Sequence, residues 1–314
     1  MLAVRPETLH FTASGTESNN SAITGFIEHF IKKGARYEDL HIIISDFEHP
    51  SVLEPVAALE RKGVQVSRVQ PDSEGTVAVH AVAERVRPET VLVSVTLVQS
   101  EIGQIQPIHD IARALETFQK KRTQKNQHLT PECALPVLHT DASQAPLYLD
   151  AAPEHTGVRL ATYDAQKIRG PKGVGLVYTH SSVTLEPVVR GGSQERGIRA
   201  GTENVVGIHG MAVAFELAKK GRKERVRRLT LCRDYFIHLL AATVPQAEIN
   251  GGVKNRVANN VHISVPGADG DYLAVLMDTK GVAVSARSAC IAGGIQSHTV
   301  EALGKSAAQA RGTL

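Results

Sequence analysis

The sequence contains no tryptophan, and aromatic residues make up only 4% of its 314 positions. A chain this poor in flat side chains lacks the stacking platforms of single-strand nucleic-acid binders. Cysteine is scarce as well. Cys133, Cys232 and Cys290 are far apart and odd in number, which argues against a disulfide framework, a CxxC-type metal site or an iron–sulfur cluster held within one chain. No metal is expected, and a reducing, cytoplasmic setting is. No apolar run approaches membrane-spanning length, and the N-terminus lacks the charged, apolar and small-residue succession of a signal peptide. A GxxxxGK[ST] phosphate loop is also missing. The net charge of +3 is small, and its surplus lies in one stretch, KKGRKERVRR (219–228). That run reads as a solvated helix face rather than a duplex-binding surface. Neither nucleic acid nor a membrane is expected as a partner.

What is present is an ordinary globular balance, 42% hydrophobic and 21% charged, over a length that fits one large α/β domain and a smaller one. Ala22, Ile23, Phe26, Ile27, Phe30 and Ile31 recur at helical spacing and predict an amphipathic helix over 17–32. Apolar runs at 41–45, 64–69, 91–95, 135–141, 159–163 and 174–178 read as buried strands, with helical patterns near 51–61, 77–86 and 108–119 between them. This alternation predicts a mostly parallel sheet with helices on both faces. KKRTQKNQH (120–128) reads as a surface loop. A long helix from about 204 is expected to cross the basic run into a second unit from 226. That unit holds a helix (226–243), a strand near 259–265, a helix over 271–278 and a strand at 282–285. The expected domains are therefore 1–225 and 226–314.

In such sheets sites form at the carboxyl ends of the strands. Asp141 ends one predicted strand, Lys167 follows another, Gln144 comes one turn after Asp141, and His49 follows the run HIIIS. Ser14-Gly15-Thr16 opens the first helix, whose free amides and dipole suit an anion such as phosphate. A lysine, an acid, a ring neighbour and a phosphate cup are what pyridoxal phosphate requires. Each residue also has a plainer reading: Asp141 as a helix cap, His49 as a satisfied strand-end histidine, Thr16 as an N-cap and Lys167 as an exposed lysine.

FTASGTESNN, EHPSVLEP, EIGQIQPI, HTDASQA, QKIRGPKGVG, GGSQERGIRAGTENV and AVSARSAC follow one another along the chain. In these motifs the sequence resembles the cysteine desulfurases of the class-V aminotransferase group, in the branch that serves iron–sulfur cluster assembly. The resemblance implies a fold-type-I α/β enzyme using pyridoxal 5'-phosphate. Lys167 would form the Schiff base, Asp141 pair with the pyridinium nitrogen, Gln144 bond the phenolic oxygen and His49 stack on the ring. Gly15 and Thr16 would hold the phosphate, and Thr202 would reach a phosphate across a homodimer. Cys290 would take sulfur from L-cysteine as a persulfide, leaving alanine, and pass it to an iron–sulfur scaffold or another acceptor. Cys133 and Cys232 are read as buried structural cysteines.

The sequence departs from the family pattern in four places. The family's segment before Met1 and its Arg-Phe-Ser-Leu-Gly stretch after Leu314, whose arginine binds the substrate carboxylate, are expected to be missing. Asp164 stands where a serine is usual, with Arg169 as its candidate partner, and Gln166 stands where a histidine is usual. Gln99-Ser100 replace Asn-Asn, making Ser100 the partner of the cofactor's phenolic oxygen. Two rivals stand beside the desulfurase reading: another class-V activity, such as an aminotransferase or selenocysteine lyase, and a truncated non-catalytic relative acting as an interaction protein.

Overall fold

The computed structural model describes residues 2–125, 136–286 and 296–314. Its central sheet contains β1 (Leu9–Thr12), β2 (His41–Ser45), β3 (Gln65–Val69), β4 (Thr90–Ser94), β5 (Val137–Asp141), β6 (Leu160–Asp164) and β7 (Gly175–Thr179). In space the order is β1-β7-β6-β5-β4-β2-β3. β7 runs antiparallel to both neighbours and the other pairings are parallel. The helices as far as residue 243 are α1 (Gly15–Lys32), α2 (Pro50–Arg61), α3 (Val79–Ala83), α4 (Ile108–Lys125), α5 (Pro153–Thr156), α6 (Val205–Lys220) and α7 (Arg222–Thr243).

The period of two along each strand sorts its side chains onto two cores. Ile42, Ile44, Leu92, Val137, Leu160 and Val177 face Ile23, Phe26 and Ile27 of α1 and Val52, Val56 and Leu59 of α2. Ile43, Val93, Leu138, Ala161 and Leu176 face the other way, toward Ile108, Ile111 and Leu115 of α4 and Met211 and Phe215 of α6. Each fully buried aliphatic or aromatic side chain contributes about 1.5–3 kcal/mol, so the two layers hold the strand ends in a fixed plane. Gly175 seats the start of α1 against this plane, because a Cβ there would clash with the Ser14 carbonyl oxygen.

After α7 come β8 (Glu248–Ile249) and β9 (Ile263–Ser264), paired antiparallel, and then α8 (Gly270–Asp278), α9 (His298–Ala302) and α10 (Ala307–Arg311). Several expectations are corrected here. The stretch read as a loop from 120 belongs to α4 as far as Lys125, and 126–128 lie outside the described residues. The helix expected to cross the basic run stops at Gly221, whose amide closes α6 on Leu217 O at 3.1 Å. α7 then starts afresh at Arg222. The basic run is not wholly solvated either, since Arg225 Nε donates to Leu147 O at 3.1 Å and ties α7 to the segment after β5. The strand near 259–265 shrinks to two residues, and 282–285 join no ladder among the described residues. Ala283, Val284 and Ser285 line a cavity instead. β1 was not read from the sequence, because four residues with two polar ones give too little alternation to register.

Phe26 is 1% exposed and meets Phe30 edge to face at 5.2 Å. Phe26→Ala is expected to lower unfolding free energy by about 3–5 kcal/mol, measured by urea denaturation. A loss under about 1 kcal/mol would mean that α1 does not carry this core.

Candidate functional site

The carboxyl ends of β2, β4, β5 and β6 and the start of α1 surround one cavity of about 510 Å³. Gly15, Thr16, His49, Ser100, Asp141, Gln144, Asp164, Gln166 and Lys167 all line it. The structure therefore brings together all the expected site residues among those described except Thr202, which is exposed on the loop before α6. Cys290 and Cys133 lie outside the described residues. Cys232 is exposed on α7 and is not the buried structural cysteine expected.

Each side chain arrives by a local device. α1 begins at Gly15 because the Ser14 hydroxyl accepts the Glu17 amide at 3.1 Å, which makes Ser14, not Thr16, the N-cap. Asp141 closes β5 and accepts the Ser143 amide on Oδ1 at 2.9 Å, an Asx turn that brings the chain round toward Gln144. Lys167 is exposed within a short 3-10 turn, Ala165–Ile168, which ends on Arg169 in the left-handed region, φ 65°. His49 is the N-cap of α2, accepting the Ser51 amide on Nδ1 at 3.1 Å.

A residue the sequence reading passed over ties these parts together. Asn19, fully buried on α1, donates from Nδ2 to Asp141 Oδ2 and to Ser51 Oγ, each at 2.8 Å. Its Oδ1 accepts the Thr162 hydroxyl at 2.5 Å. Since its nitrogen faces a carboxylate and its oxygen faces a donor, the amide orientation is set by its neighbours. Ser51 Oγ lies 2.7 Å from His49 Nδ1, which already accepts the Ser51 amide. Nδ1 is therefore an acceptor, and the neutral imidazole carries its proton on Nε2. Burial holds His49 below the usual histidine value, with Lys167 adding to the shift and the Asp141 charge opposing it. The signal in the sequence was there: Ser18 and Asn19 sit four residues before Ala22 and Ile23, on the apolar face of the helix, where a polar residue needs buried partners.

Two further buried groups were missed. Gln99 is 2% exposed, donates to Phe47 O and Thr299 Oγ1, and accepts the Glu101 and Ile102 amides. It staples the turn that presents Ser100 to the cavity. Glu101 in turn accepts Ser297 Oγ at 2.6 Å and Thr299 Oγ1 at 3.1 Å. Glu48 is 4% exposed; its Oε1 accepts the Ser45 hydroxyl and the Thr96 amide, and its Oε2 has no partner among the described residues. Burial pushes its carboxyl up to about 8, and the nearby Asp141 charge adds to that. Glu48 is thus largely neutral at pH 7.

Asp164 departs most from expectation. Arg169 is not among its partners within the described residues. Its Oδ2 accepts the Gly15 amide and Gln166 Nε2, both at 3.2 Å, and its Oδ1 accepts the Gln166 amide at 3.1 Å. The two unusual residues pair with each other, on the amide that opens α1.

Comparison with known proteins agrees with this geometry. The family model for aminotransferase class-V matches residues 1–307, and the chain belongs to that family. Within it the relatives are cysteine desulfurases. The chain is 35% identical over 303 residues to cysteine desulfurase IscS of Dictyoglomus turgidum, covering 96% of this chain and 72% of the relative. A solved NifS-like protein superposes with a TM-score of 0.85 at 31% identity, covering 99% of this chain and 77% of the other. The solved structure of SspA in complex with cysteine gives 0.74 at 27% identity, covering 99% and 81%. The fold-type-I reading and the cysteine desulfurase resemblance are borne out, and pyridoxal phosphate is the cofactor of this class. The lining residues suit its ring, with Lys167, Asp141, Gln144 and His49 around one space. They suit its phosphate only once the Asp164 carboxylate has left the Gly15 amide.

The folded chain holds the Glu48 proton more tightly than the unfolded chain does, so the stabilisation is complete below about pH 4.5 and is lost as pH rises to about 8. Against Glu48→Gln, which keeps the acceptor and cannot ionise, wild-type stability is expected to fall by up to about 1.4 kcal/mol per pH unit across that window. Parallel denaturation curves from pH 5 to 8 measure this; a constant difference between the two proteins would show that Glu48 ionises freely.

Proposed function

We propose that this chain is a pyridoxal-phosphate-dependent cysteine desulfurase that converts L-cysteine to L-alanine and holds the sulfur on Cys290. The observation that carries the reading is the gathering of Lys167, Asp141, Gln144 and His49 around one cavity at the strand ends. When bound, pyridoxal phosphate supplies an electron sink that weakens bonds at the carbon bearing the substrate amine. Lys167 Nζ anchors it and moves a proton at that carbon. Asp141, tied down by Asn19 and the Ser143 amide, presents a fixed negative charge to a ring nitrogen. His49 keeps its proton on Nε2 because Ser51 occupies Nδ1. Gln144 and Ser100 are the polar groups for the phenolic oxygen, and Thr16 assists at the phosphate.

Cys290 is the sulfur-accepting thiolate in this reading, its Sγ attacking the substrate sulfur as the carbon–sulfur bond breaks. Support comes from its neighbours in the chain: Ser285 lines the cavity, and Ser297 donates to Glu101, which also lines it. The proposal extends to a homodimer that brings Thr202 to the partner's phosphate. Thr202 lies beside Val205 and Val206, 70% and 85% exposed at the start of α6, an apolar pair suited to burial against a second copy. It also includes a division into 1–225 and 226–314, delivery of sulfur to an iron–sulfur scaffold or similar acceptor, and a cytoplasmic setting. No described helix is long and apolar enough to cross a membrane. A non-catalytic relative is the second reading, favoured by the Asp164 carboxylate on the Gly15 amide.

With added pyridoxal phosphate, wild type is expected to show a visible absorbance band that Lys167→Ala lacks. Cys290→Ser should keep the band and lose production of alanine and sulfide from L-cysteine by at least about 100-fold. Full turnover by Cys290→Ser would point to another class-V activity, and no band in wild type would favour the non-catalytic relative.

A further inference from the structure

Gly15 is the first residue of an 18-residue helix, and its N–H is one of the amides that the helix leaves without an internal acceptor. An anion is favoured at that point by the open amides and the helix dipole together. The chain fills the position with its own anion. Asp164 is 8% exposed at the end of β6, and its Oδ2 takes the Gly15 amide at 3.2 Å. Gln166 holds the carboxylate there through both its amide N–H and Nε2. The contact is close: a Cβ on Gly15 would stand 3.0 Å from Asp164 Cβ and 3.1 Å from Oδ2. One acceptor oxygen occupies this space, and a second would meet the first.

The surrounding charges do not offset a second anion. Among the described residues lining the cavity, Lys167 is the only lysine or arginine, against Glu101, Asp141 and Asp164. Glu17, in the first turn of α1, is taken up by Arg199 Nε at 2.8 Å and by the Ala13 amide. A phosphate dianion brought to the Gly15 amide therefore meets a carboxylate that has no ion pair among the described residues.

Resting on the cofactor reading above, we propose that Asp164 is a specificity-determining residue that competes with the cofactor's phosphate for the Gly15 amide, with Gln166 as the arm that holds it in place. The phosphate is seated only when the Asp164 side chain swings away from α1. The site consequently draws less affinity from the phosphate group than an uncharged residue at 164 would permit, and it discriminates weakly between pyridoxal phosphate and pyridoxal, which shares the ring and aldehyde but has no phosphate.

The test is equilibrium binding of pyridoxal phosphate and of pyridoxal to wild type, Asp164→Asn and Asp164→Ser, read by equilibrium dialysis with no turnover assay. Asp164→Asn keeps the side-chain shape and an acceptor for the Gln166 amide, so a change it shares with Asp164→Ser follows from the charge. Both variants are expected to bind pyridoxal phosphate about tenfold or more tightly than wild type. Pyridoxal affinity should change by less than about twofold, so the preference for the phosphate ester rises in proportion. An unchanged or reduced preference, with Lys167-dependent binding intact in all three proteins, would overturn this inference and leave the proposed function standing. Failure of all three to bind either aldehyde in a Lys167-dependent way would overturn both.

Discussion

Burial of the central strands on both faces is the constraint from which the rest of the structure follows. β2, β4, β6 and β7 are buried along their whole length, as is β5 up to Asp141. Polar side chains within them must find partners inside the sheet: His41 bonds Thr90 and Ser67, and His139 bonds Ser94. Only where the strands stop can a polar group face open space. The parallel connections put those stops on one edge, so Asp141, Lys167, His49 and Ser100 gather without any of them being close in sequence.

Two nearby carboxyl groups have different surroundings. Burial pushes the Glu48 carboxyl up to about 8, while Asp141 receives donors from Asn19 and Ser143. The Asn19 amide links the acid to the imidazole through Ser51, so a shift of α1 would disturb both together. The same helix opens on Gly15, where Asp164 sits. The Asn19 hydrogen bonds and the Gly15 amide held by Asp164 thus belong to one 18-residue element.

Most of the architecture was legible because period-two and period-3.6 patterns report burial directly. The strand at 41–45 and the helices at 51–61 and 271–278 lie where the pattern put them, within a residue. Lys167, Asp141, Gln144 and His49 were legible because each follows a strand-like run, and position relative to a strand end is a sequence property. Elements that depend on a neighbour were not. β1 is defined by its pairing with β7, and the break at Gly221 is set by how α7 docks through Arg225. The residues at 282–285 carry a strand pattern, and Ala283, Val284 and Ser285 line the cavity instead. Asn19 and Gln99 act through partners more than 30 residues away, contacts that no local pattern encodes. The pairing of Asp164 with Gly15 spans 149 positions and was hidden for the same reason.

Lys167, just after β6, is the proposed covalent anchor of pyridoxal phosphate. Borohydride reduction of the protein in the presence of pyridoxal phosphate, followed by peptide mass mapping, tests it directly. A pyridoxyl group is expected on the peptide carrying Lys167. Its attachment to another lysine, or to none, would overturn the role proposed for Lys167.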